Sequence, residues 1–325
     1  MTRLTRLAIL DDFQGVALQM GPWDRLPPGL TIEVFRDAVA DQDALVARLL
    51  PFDAILGIRE RTPFPASLLQ RLPNLKLLMT TGERNRAFDV AAANAQGVTV
   101  CGTPSAGAPT VDITWGLILG LLRDLPAQMA SLRAGTWQAH GAPNSVGTAA
   151  EGLTLGILGL GKLGTRVARV GQAFGMKTIA WSQNLTAEAA AAVGVTRVEK
   201  AALFAQADVV TLHMILSDRS RGIVGAAELG AMKPSACIVN TSRGPLIDQP
   251  ALIAALTEGR IAGAGLDVFD REPLPLDHPL MACPNTLLTP HLGYVSRQNF
   301  SAYFHGAVET IEAYLAGAPI RLLTP

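Results

Sequence analysis

The stretch Leu153-Thr-Leu-Gly-Ile-Leu158, continued by Gly159-Leu-Gly161-Lys-Leu-Gly164, decides the fold. The apolar run predicts a buried strand, and the residues after the third glycine have the apolar spacing of an amphipathic helix. In such a unit the first glycine makes the turn, the second lets backbone approach a pyrophosphate, and the third lets helix pack on strand. The helix N-terminus then offers its unpaired N–H groups to the anion. This glycine fingerprint therefore predicts a dinucleotide site.

The composition of the chain excludes several other classes of protein. The 325 residues include 27 basic and 27 acidic side chains, with no block of one sign, so neither nucleic acid nor an anionic membrane is an expected partner. No apolar run is long enough to span a membrane, and the apolar run at the N-terminus is too short for a signal peptide. Three distant cysteines give no metal-ligand spacing. A cytoplasmic protein without a metal site is predicted.

Short apolar strands alternate with helical segments on both sides of the fingerprint, which predicts an α/β protein with parallel sheets. The predicted strands are Leu7–Leu10, Thr31–Phe35, Ala54–Gly57, Leu75–Met79, Val98–Val100, Leu153–Leu158, Thr178–Trp181, Val209–Leu212, Cys237–Asn240, Ala262–Leu266 and Thr286–Leu288. The predicted helices include Asp41–Leu50, Asp89–Gln96, Thr110–Arg123 and Asn299–Leu315. The last six strands are the number expected of a complete dinucleotide-binding sheet.

Two successive α/β units predict two domains. Residues 1–103 form the first part of a substrate domain, and residues 104–291 form a dinucleotide-binding domain that begins with a linking helix. Residues 292–325 contain a final helix that we expect to return to the first domain. The two domains are expected to leave a cleft between them.

Three side chains suited to carbonyl reduction follow predicted strands of the second unit: Arg243, Glu272 and His291. Hydride transfer to a carbonyl needs a cation that holds the substrate, an acid that protonates the oxygen, and a partner for that acid. Taken singly, these residues have structural alternatives: a loop-bracing arginine, a solvated carboxylate and a hydrogen-bonded histidine. Loops at the carboxyl ends of parallel strands meet at one edge, so together they predict a catalytic group.

The loops that carry these residues resemble those of the D-isomer-specific 2-hydroxyacid dehydrogenase family. The segments Asn240-Thr-Ser-Arg-Gly-Pro-Leu-Ile-Asp248 and Ala264-Gly-Leu-Asp-Val-Phe-Asp-Arg-Glu-Pro273 carry the resemblance, which extends over essentially the whole chain. It implies a Rossmann dinucleotide-binding domain inserted in a flavodoxin-like substrate domain, and a homodimer. It also implies that Arg243 binds and polarises a 2-oxo acid, with His291 as general acid/base and Glu272 as its partner.

Further cofactor contacts are predicted along the second unit. Asp267 is implied as a ligand of the nicotinamide carboxamide, and His213 lies where family members contact the ribose region, with a core histidine as the alternative. The remaining predicted cofactor residues are Gly159, Gly161, Lys162, Leu163, Gly164, Thr241 and Gly293. Three other histidines, His140, His278 and His305, are expected to be structural.

The residues after the strand Thr178–Trp181 bear on the choice between NAD and NADP. An acidic residue is the usual ligand of the NAD ribose at this position, but here Ser182-Gln-Asn184 follows the strand. Ser182 and Asn184 can donate hydrogen bonds to a 2′-phosphate, although no arginine or lysine follows at once. The sequence predicts use of NADP, or a relaxed preference.

The first unit carries the predicted substrate-binding residues Arg59, Gly82, Glu83 and Arg84. The amides of Glu83 and Arg84 are predicted to face a carboxylate, and the Arg84 side chain either meets a second anion or pairs with a neighbouring carboxylate. Arg59 and Arg61 alternate, so on an extended segment both would lie on one side.

The predicted reaction is reversible hydride transfer between a 2-oxo acid and a D-2-hydroxy acid. Substrates of the phosphoglycerate, glyoxylate or hydroxypyruvate type are compatible with the sequence. The alternative is a nicotinamide-sensing binding protein of the corepressor type with little turnover, since fold and cofactor site alone do not decide function.

Overall fold

The chain forms two compact units, each organised around a parallel sheet. The computed structural model describes residues 3–138, 146–283 and 285–325. The first unit comprises Met1–Gly107 and Ser296–Pro325, and the second comprises Ala108–Val295. The boundaries expected from the sequence lie a few residues upstream of both divisions. Within the described residues, no helix combines the length and apolarity needed to cross a bilayer.

The first unit has five parallel strands in the part of it that the structure describes. They are β1 (Arg6–Leu10), β2 (Thr31–Val34), β3 (Ala54–Gly57), β4 (Leu77–Thr80) and β5 (Thr99–Cys101). The order β2-β1-β3-β4-β5 is that of a flavodoxin-like sheet. The interior strands β3 and β4 are buried along their whole length, as expected of a parallel sheet covered on both faces.

Short helices connect the strands of the first unit. They are α1 (Ala17–Met20), α2 (Gln42–Leu49), α3 (Ala66–Leu69) and α4 (Val90–Ala95), with a 3₁₀ helix at Trp23–Arg25. Asp41 caps α2 by accepting a hydrogen bond from the Ala44 N–H at 2.7 Å, and Asp89 caps α4 in the same way through Ala92. An aspartate before an apolar helix is a common start signal, which is why both helix starts were predictable.

The second unit contains a larger parallel sheet. Its strands are β6 (Thr154–Leu158), β7 (Lys177–Trp181), β8 (Thr196–Arg197), β9 (Val209–Leu212), β10 (Cys237–Asn240), β11 (Gly263–Leu266) and β12 (Thr286–Leu288). The order β12-β11-β10-β9-β6-β7-β8 is that of a Rossmann sheet with one added strand. The prediction of six strands was therefore wrong: β8 has two residues at the sheet edge, too few to show an alternating pattern.

Helices of the second unit connect its strands. They are α5 (Pro109–Leu122), α6 (Leu125–Arg133), α7 (Lys162–Ala173), α8 (Ala187–Ala191), α9 (Lys200–Gln206), α10 (Ala226–Ala231), α11 (Gln249–Thr257) and α12 (Pro279–Ala282), with a 3₁₀ helix at Gly244–Leu246. Helix α5 packs closely on β11, because a Cβ added at Gly265 would lie 3.0 Å from the Leu117 Cβ. The final helix, α13 (Arg297–Leu315), belongs to the first unit.

Candidate active site

The glycine fingerprint forms the turn between β6 and α7, and its three glycines have different surroundings. Gly159 has φ +105°, and an added Cβ would lie 2.6 Å from the His213 carbonyl oxygen. A Cβ at Gly164 would collide with the Gly159 carbonyl. At Gly161, in contrast, an added Cβ would meet no described atom within 4 Å. Gly159 and Gly164 therefore serve close packing, and Gly161 leaves open space beside the helix.

The N-terminus of α7 borders this open space. Gly161 is its N-cap and supplies no side chain to cap the helix. Lys162 is exposed and Leu163 is half-buried in the first turn. Uncapped N–H groups and the positive end of the helix dipole favour an anion at this position. The turn thus fits the pyrophosphate of a dinucleotide.

Ser182 follows β7 and contacts the glycine turn. Its Oγ accepts a hydrogen bond from the Leu160 N–H at 3.1 Å, while the hydroxyl hydrogen can still be donated. Asn184, two residues on, is exposed. The structure therefore brings Ser182 to the fingerprint and places no carboxylate at position 182.

His213 follows β9 and has a buried ring nitrogen. Its Nε2 lies 3.0 Å from the Thr211 hydroxyl, whereas Nδ1 has no hydrogen-bond partner among the described residues. Burial lowers the pKa of His213 to about 4, so the ring is neutral at physiological pH. Strands β6 and β9 are adjacent where the strand order changes direction, the usual site of ligands in such sheets. An unpartnered nitrogen there fits a polar contact from a cofactor.

The loop after β10 is fixed by its own hydrogen bonds. Asn240 donates through Nδ2 to the Arg243 carbonyl at 2.8 Å and accepts from the Ser242 N–H at 3.0 Å. The Ser242 hydroxyl donates to the Leu212 carbonyl at 2.7 Å. The half-buried Arg243 guanidinium donates to the Ser242 carbonyl at 2.7 Å. Arg243 thus lies on a loop that these hydrogen bonds hold at the carboxyl edge of the sheet.

The Arg243 loop packs directly on the loop that carries Glu272. A Cβ added at Gly244 would collide with the backbone of Phe269, so only glycine allows this approach. The Phe269 N–H in turn donates to Glu272 Oε1 at 3.0 Å. The backbone of Phe269 therefore contacts both Gly244, the residue after Arg243, and the Glu272 carboxylate.

Glu272 and His291 form a close pair. Glu272 Oε2 lies 2.6 Å from His291 Nδ1, and both side chains are about three-quarters buried, with exposures of 25% and 23%. An ionised carboxylate can only accept, so with Glu272 ionised His291 Nδ1 is the donor in this pair and Nε2 is the ring nitrogen outside it. His291 has φ +54°, an uncommon backbone conformation for a residue other than glycine. Such strain is found at functional sites.

Asp267 holds the loop that carries His291 by hydrogen bonds to residues on both sides of the histidine. Its carboxylate is fully buried and accepts from the Thr289 hydroxyl at 2.6 Å, the Leu292 N–H at 2.6 Å and the Gly293 N–H at 2.7 Å. Burial raises the pKa of Asp267, and these hydrogen bonds oppose that effect. The structure gives Asp267 a positioning task, and its implied contact with the carboxamide stays a prediction.

Two other predicted cofactor residues have protein partners. The Thr241 hydroxyl is buried and lies 2.8 Å from the Thr114 hydroxyl. Gly293 donates its N–H to Asp267, and its carbonyl accepts from the Thr110 hydroxyl at 2.7 Å. The Thr241 hydroxyl and the Gly293 peptide groups are therefore used to hold their loops in place.

In the first unit the structure brings Arg59 and Gly82 together. Arg59 donates from its backbone N–H to the Thr81 hydroxyl at 2.9 Å and from its guanidinium to the Thr81 carbonyl at 3.1 Å. Its guanidinium lies across Gly82, where any Cβ would collide with it. Gly82 has φ +92° and donates its N–H to the Thr103 hydroxyl at 2.9 Å. The Gly82 N–H is therefore already engaged.

The neighbouring charged residues of the first unit differ from the extended arrangement expected. Residues 59–62 form a turn in which Arg59 has φ +58°, so Arg59 and Arg61 do not alternate on one side of a strand. Arg61 instead stacks over the Phe13 ring, 5.0 Å from its centroid. Glu83 and Arg84 are exposed, and no ion pair recorded among the described residues involves Arg84.

A buried carboxyl at the end of β1 was not anticipated. Asp11 is 1% exposed, has φ +61° and accepts a hydrogen bond from the Thr62 hydroxyl at 2.8 Å. Burial raises its pKa to about 6. The sequence signal was an acidic pair directly after an apolar strand, and the contact attaches the arginine turn to β1.

The other histidines have structural partners where they are described. His278 caps α12 through the Leu280 N–H and bonds to Gln249 at 2.6 Å, and His305 bonds to the Ser301 carbonyl one helical turn back. His140 lies outside the described residues. In the part of the chain that the structure describes, no three His, Cys, Asp or Glu side chains cluster as a metal site.

Comparison with known sequences gives a consistent family. The sequence model of the "D-isomer specific 2-hydroxyacid dehydrogenase, NAD binding domain" matches residues 115–293. A D-3-phosphoglycerate dehydrogenase from Methanocaldococcus jannaschii is 35% identical over 291 residues, covering 89% of this chain and 53% of the relative. The chain thus spans about half the length of that relative. A glyoxylate reductase from Aeropyrum pernix is 36% identical over 257 residues, covering 77% of this chain and 76% of the relative.

Solved structures of this architecture include a phosphoglycerate oxidoreductase from Vibrio cholerae. It superposes with a TM-score of 0.91 at 40% sequence identity, covering 97% of this chain and all of its own. Both the fold of the two units and the sequence around the site therefore have relatives among known dehydrogenases.

Proposed function

Since the chain belongs to the D-isomer-specific 2-hydroxyacid dehydrogenase family, we propose that it catalyses reversible reduction of a 2-oxo acid to a D-2-hydroxy acid. The observation that carries the proposal is the contact at 2.6 Å between Glu272 and His291, together with the close packing of the Glu272 loop on Gly244, the residue after Arg243. A cation, an acid and the partner of that acid are the groups that carbonyl reduction requires.

The proposed mechanism assigns one task to each side chain. The Arg243 guanidinium binds the substrate carboxylate and polarises the carbonyl, because its planar fork matches a carboxylate with two hydrogen bonds. His291 gives a proton from Nε2 to the developing alkoxide, and Glu272 holds Nδ1 and stabilises the charged ring. The chemistry that a nicotinamide supplies when bound is hydride transfer. In the reverse direction His291 accepts the hydroxyl proton.

The second unit carries the residues proposed to bind the cofactor. Gly161 and the N-terminus of α7, with Lys162 and Leu163, would hold the pyrophosphate. The His213 ring nitrogen supports a contact in the same region. Ser182 and Asn184 are proposed to contact the adenosine ribose or its 2′-phosphate. We propose use of NADP, or use of both cofactors, because the residues directly after β7 are Ser182-Gln-Asn184, where an acidic residue that would repel a 2′-phosphate is usual.

Ser182→Asp is expected to move cofactor preference toward NAD. The new carboxylate can still accept from the Leu160 N–H, but it repels a 2′-phosphate and can accept from a ribose hydroxyl. We expect the ratio of kcat/KM for NADPH to that for NADH to fall by about 10–100-fold, the equivalent of one or two charged interactions. Steady-state kinetics with both cofactors measures this ratio.

Thr186→Asp is the matched control for this charge. Thr186 caps α8 by accepting from the Ala189 N–H at 3.1 Å, a role that aspartate fills equally well. The control should leave the ratio unchanged. A wild-type kcat/KM for NADH a hundredfold above that for NADPH would contradict the proposed preference.

We propose a small 2-oxo acid, of the glyoxylate, hydroxypyruvate or 3-phosphohydroxypyruvate type, as substrate. The names of the relatives, phosphoglycerate dehydrogenase and glyoxylate reductase, support this range. Arg59, Glu83 and Arg84 in the first unit stay predicted substrate ligands, and Gly82 is proposed to set the backbone of that turn. Three further features likewise stay predictions. They are the assignment of substrate binding to one domain and cofactor binding to the other, assembly as a homodimer, and a cytoplasmic location.

The test is oxidation of NADH and of NADPH in the presence of glyoxylate, hydroxypyruvate, pyruvate and 3-phosphohydroxypyruvate. We expect turnover with at least one of these acids, dependent on protein and acid. Cofactor binding in a thermal shift assay without turnover on any acid would contradict the proposal and favour a nicotinamide-sensing protein.

A further inference from the structure

Two threonines lie one helical turn apart at the start of α5. Thr110 and Thr114 occupy positions four residues apart, which share one face of a helix. The Thr114 hydroxyl donates to the Thr110 carbonyl at 2.7 Å. This bond uses the single hydrogen of the Thr114 hydroxyl and leaves its oxygen available as an acceptor.

The acceptor site on Thr114 is used by the Arg243 loop. Thr241 lies two residues before Arg243, and its hydroxyl is 2.8 Å from that of Thr114. Because the Thr114 hydrogen is already donated, Thr241 is the donor in this pair. Thr114 is fully buried and Thr241 is 6% exposed, so water does not compete for the contact.

The other threonine reaches the His291 loop. Thr110 donates from its hydroxyl to the Gly293 carbonyl at 2.7 Å, and Gly293 lies two residues after His291. The N–H of Gly293 donates to Asp267 at 2.7 Å. The peptide groups of Gly293 are thus held from two sides, by a carboxylate after β11 and by a hydroxyl on α5.

We propose that Thr110 and Thr114 are positioning residues that attach the Arg243 loop and the His291 loop to one helix. They would fix the spacing between the group that holds the substrate and the group that supplies its proton. The inference rests on the proposed function, because it assigns the spacing a role in 2-oxo acid reduction. Enzyme rates are sensitive to displacements of about 1 Å between reacting groups, so a common anchor has a direct effect on turnover.

The valine variants Thr110→Val and Thr114→Val test this proposal, since valine keeps the shape of threonine and removes the hydroxyl. Each is expected to lower kcat by about 5–10-fold, the rate equivalent of one lost hydrogen bond, with the Kd for NAD(P)H unchanged. Thr110→Ser and Thr114→Ser retain the hydroxyl and should restore kcat to within about twofold of wild type. Cofactor fluorescence gives the Kd, and thermal unfolding gives the stability of each variant.

Thr310→Val is the matched control. Thr310 is also fully buried in a helix, and its hydroxyl also donates to the carbonyl one turn back, at 2.7 Å, but it belongs to α13 of the first unit. Thr310→Val should lower the Tm about as much as Thr114→Val does, without the loss of kcat. Thr110 is less buried than Thr114, so its variant keeps the test decisive if Thr114→Val unfolds.

A double-mutant comparison separates positioning from general stability. If Thr110 acts through His291, Thr110→Val should add less than a twofold loss to a His291→Ala enzyme. A full further loss in that background, or valine variants no slower than Thr310→Val, would overturn the proposal. A wild-type protein that reduces none of the four acids would instead overturn the proposed function, and this inference with it.

Discussion

His291→Ala is expected to lower kcat by ~10²–10⁴-fold while NAD(P)H binds as tightly as to the wild type. The substitution removes the Nε2 proton donor and leaves the cofactor turn at Gly159–Gly164 untouched. The loop itself should persist, because Asp267 and Thr110 bind the backbone of Gly293 and not the imidazole. Steady-state turnover and cofactor fluorescence titration give the two quantities.

His305→Ala controls for the loss of a histidine. His305 is exposed on α13, and among the described residues its ring forms hydrogen bonds with Ser301 alone. The His305→Ala enzyme should have the wild-type kcat. If His291→Ala keeps more than a tenth of wild-type kcat, His291 is not the general acid and the assignment of the site is wrong.

Arg243→Ala is expected to reduce kcat/KM for the 2-oxo acid by ~10²–10⁴-fold. Two charge-assisted hydrogen bonds to the substrate carboxylate, at ~1.5–3 kcal/mol each, account for this range. Because the guanidinium also polarises the carbonyl, kcat should fall as well as KM rise. Initial rates over a range of acid concentrations separate the two constants.

Two further variants serve as controls for Arg243→Ala. Arg243→Lys keeps the charge but not the planar fork, so its kcat/KM should lie between those of the wild type and the alanine variant. Arg169→Ala removes an exposed arginine of α7 and should change little. An unchanged kcat/KM in Arg243→Ala would make Arg243 a loop-bracing residue, in line with its bond to the Ser242 carbonyl.

Much of the fold was predictable because buried parallel strands are short apolar runs bounded by turn residues. The bounds predicted for β3, β9, β10 and β12 coincide with those in the structure. The strand–glycine–helix context also predicted the turn at Gly159 and the close packing at Gly164, where an added Cβ would collide with the Gly159 carbonyl five residues back. The pairing of Glu272 with His291 followed from the resemblance, and the structure places the two side chains together.

What escaped prediction depends on contacts between distant parts of the chain. Thr114 and Thr241 are 127 residues apart, and Thr110 and Gly293 are 183 apart, so no local pattern signals that these groups meet. The hydrogen bonds between Asp267 and the His291 loop escaped prediction for the same reason. They form only because the loop after β12 folds back over Asp267. The turn at Arg59 was missed because alternation of charged residues suggests a strand, whereas the backbone there enters the left-handed region.

The configuration of the product tests the central claim most directly. The protein would be incubated with hydroxypyruvate and NADPH or NADH, and the glycerate formed would be resolved by chiral chromatography. We predict D-glycerate, formed by the wild type and lost in His291→Ala. Formation of the L isomer, or of equal amounts of both, would contradict the account of the site.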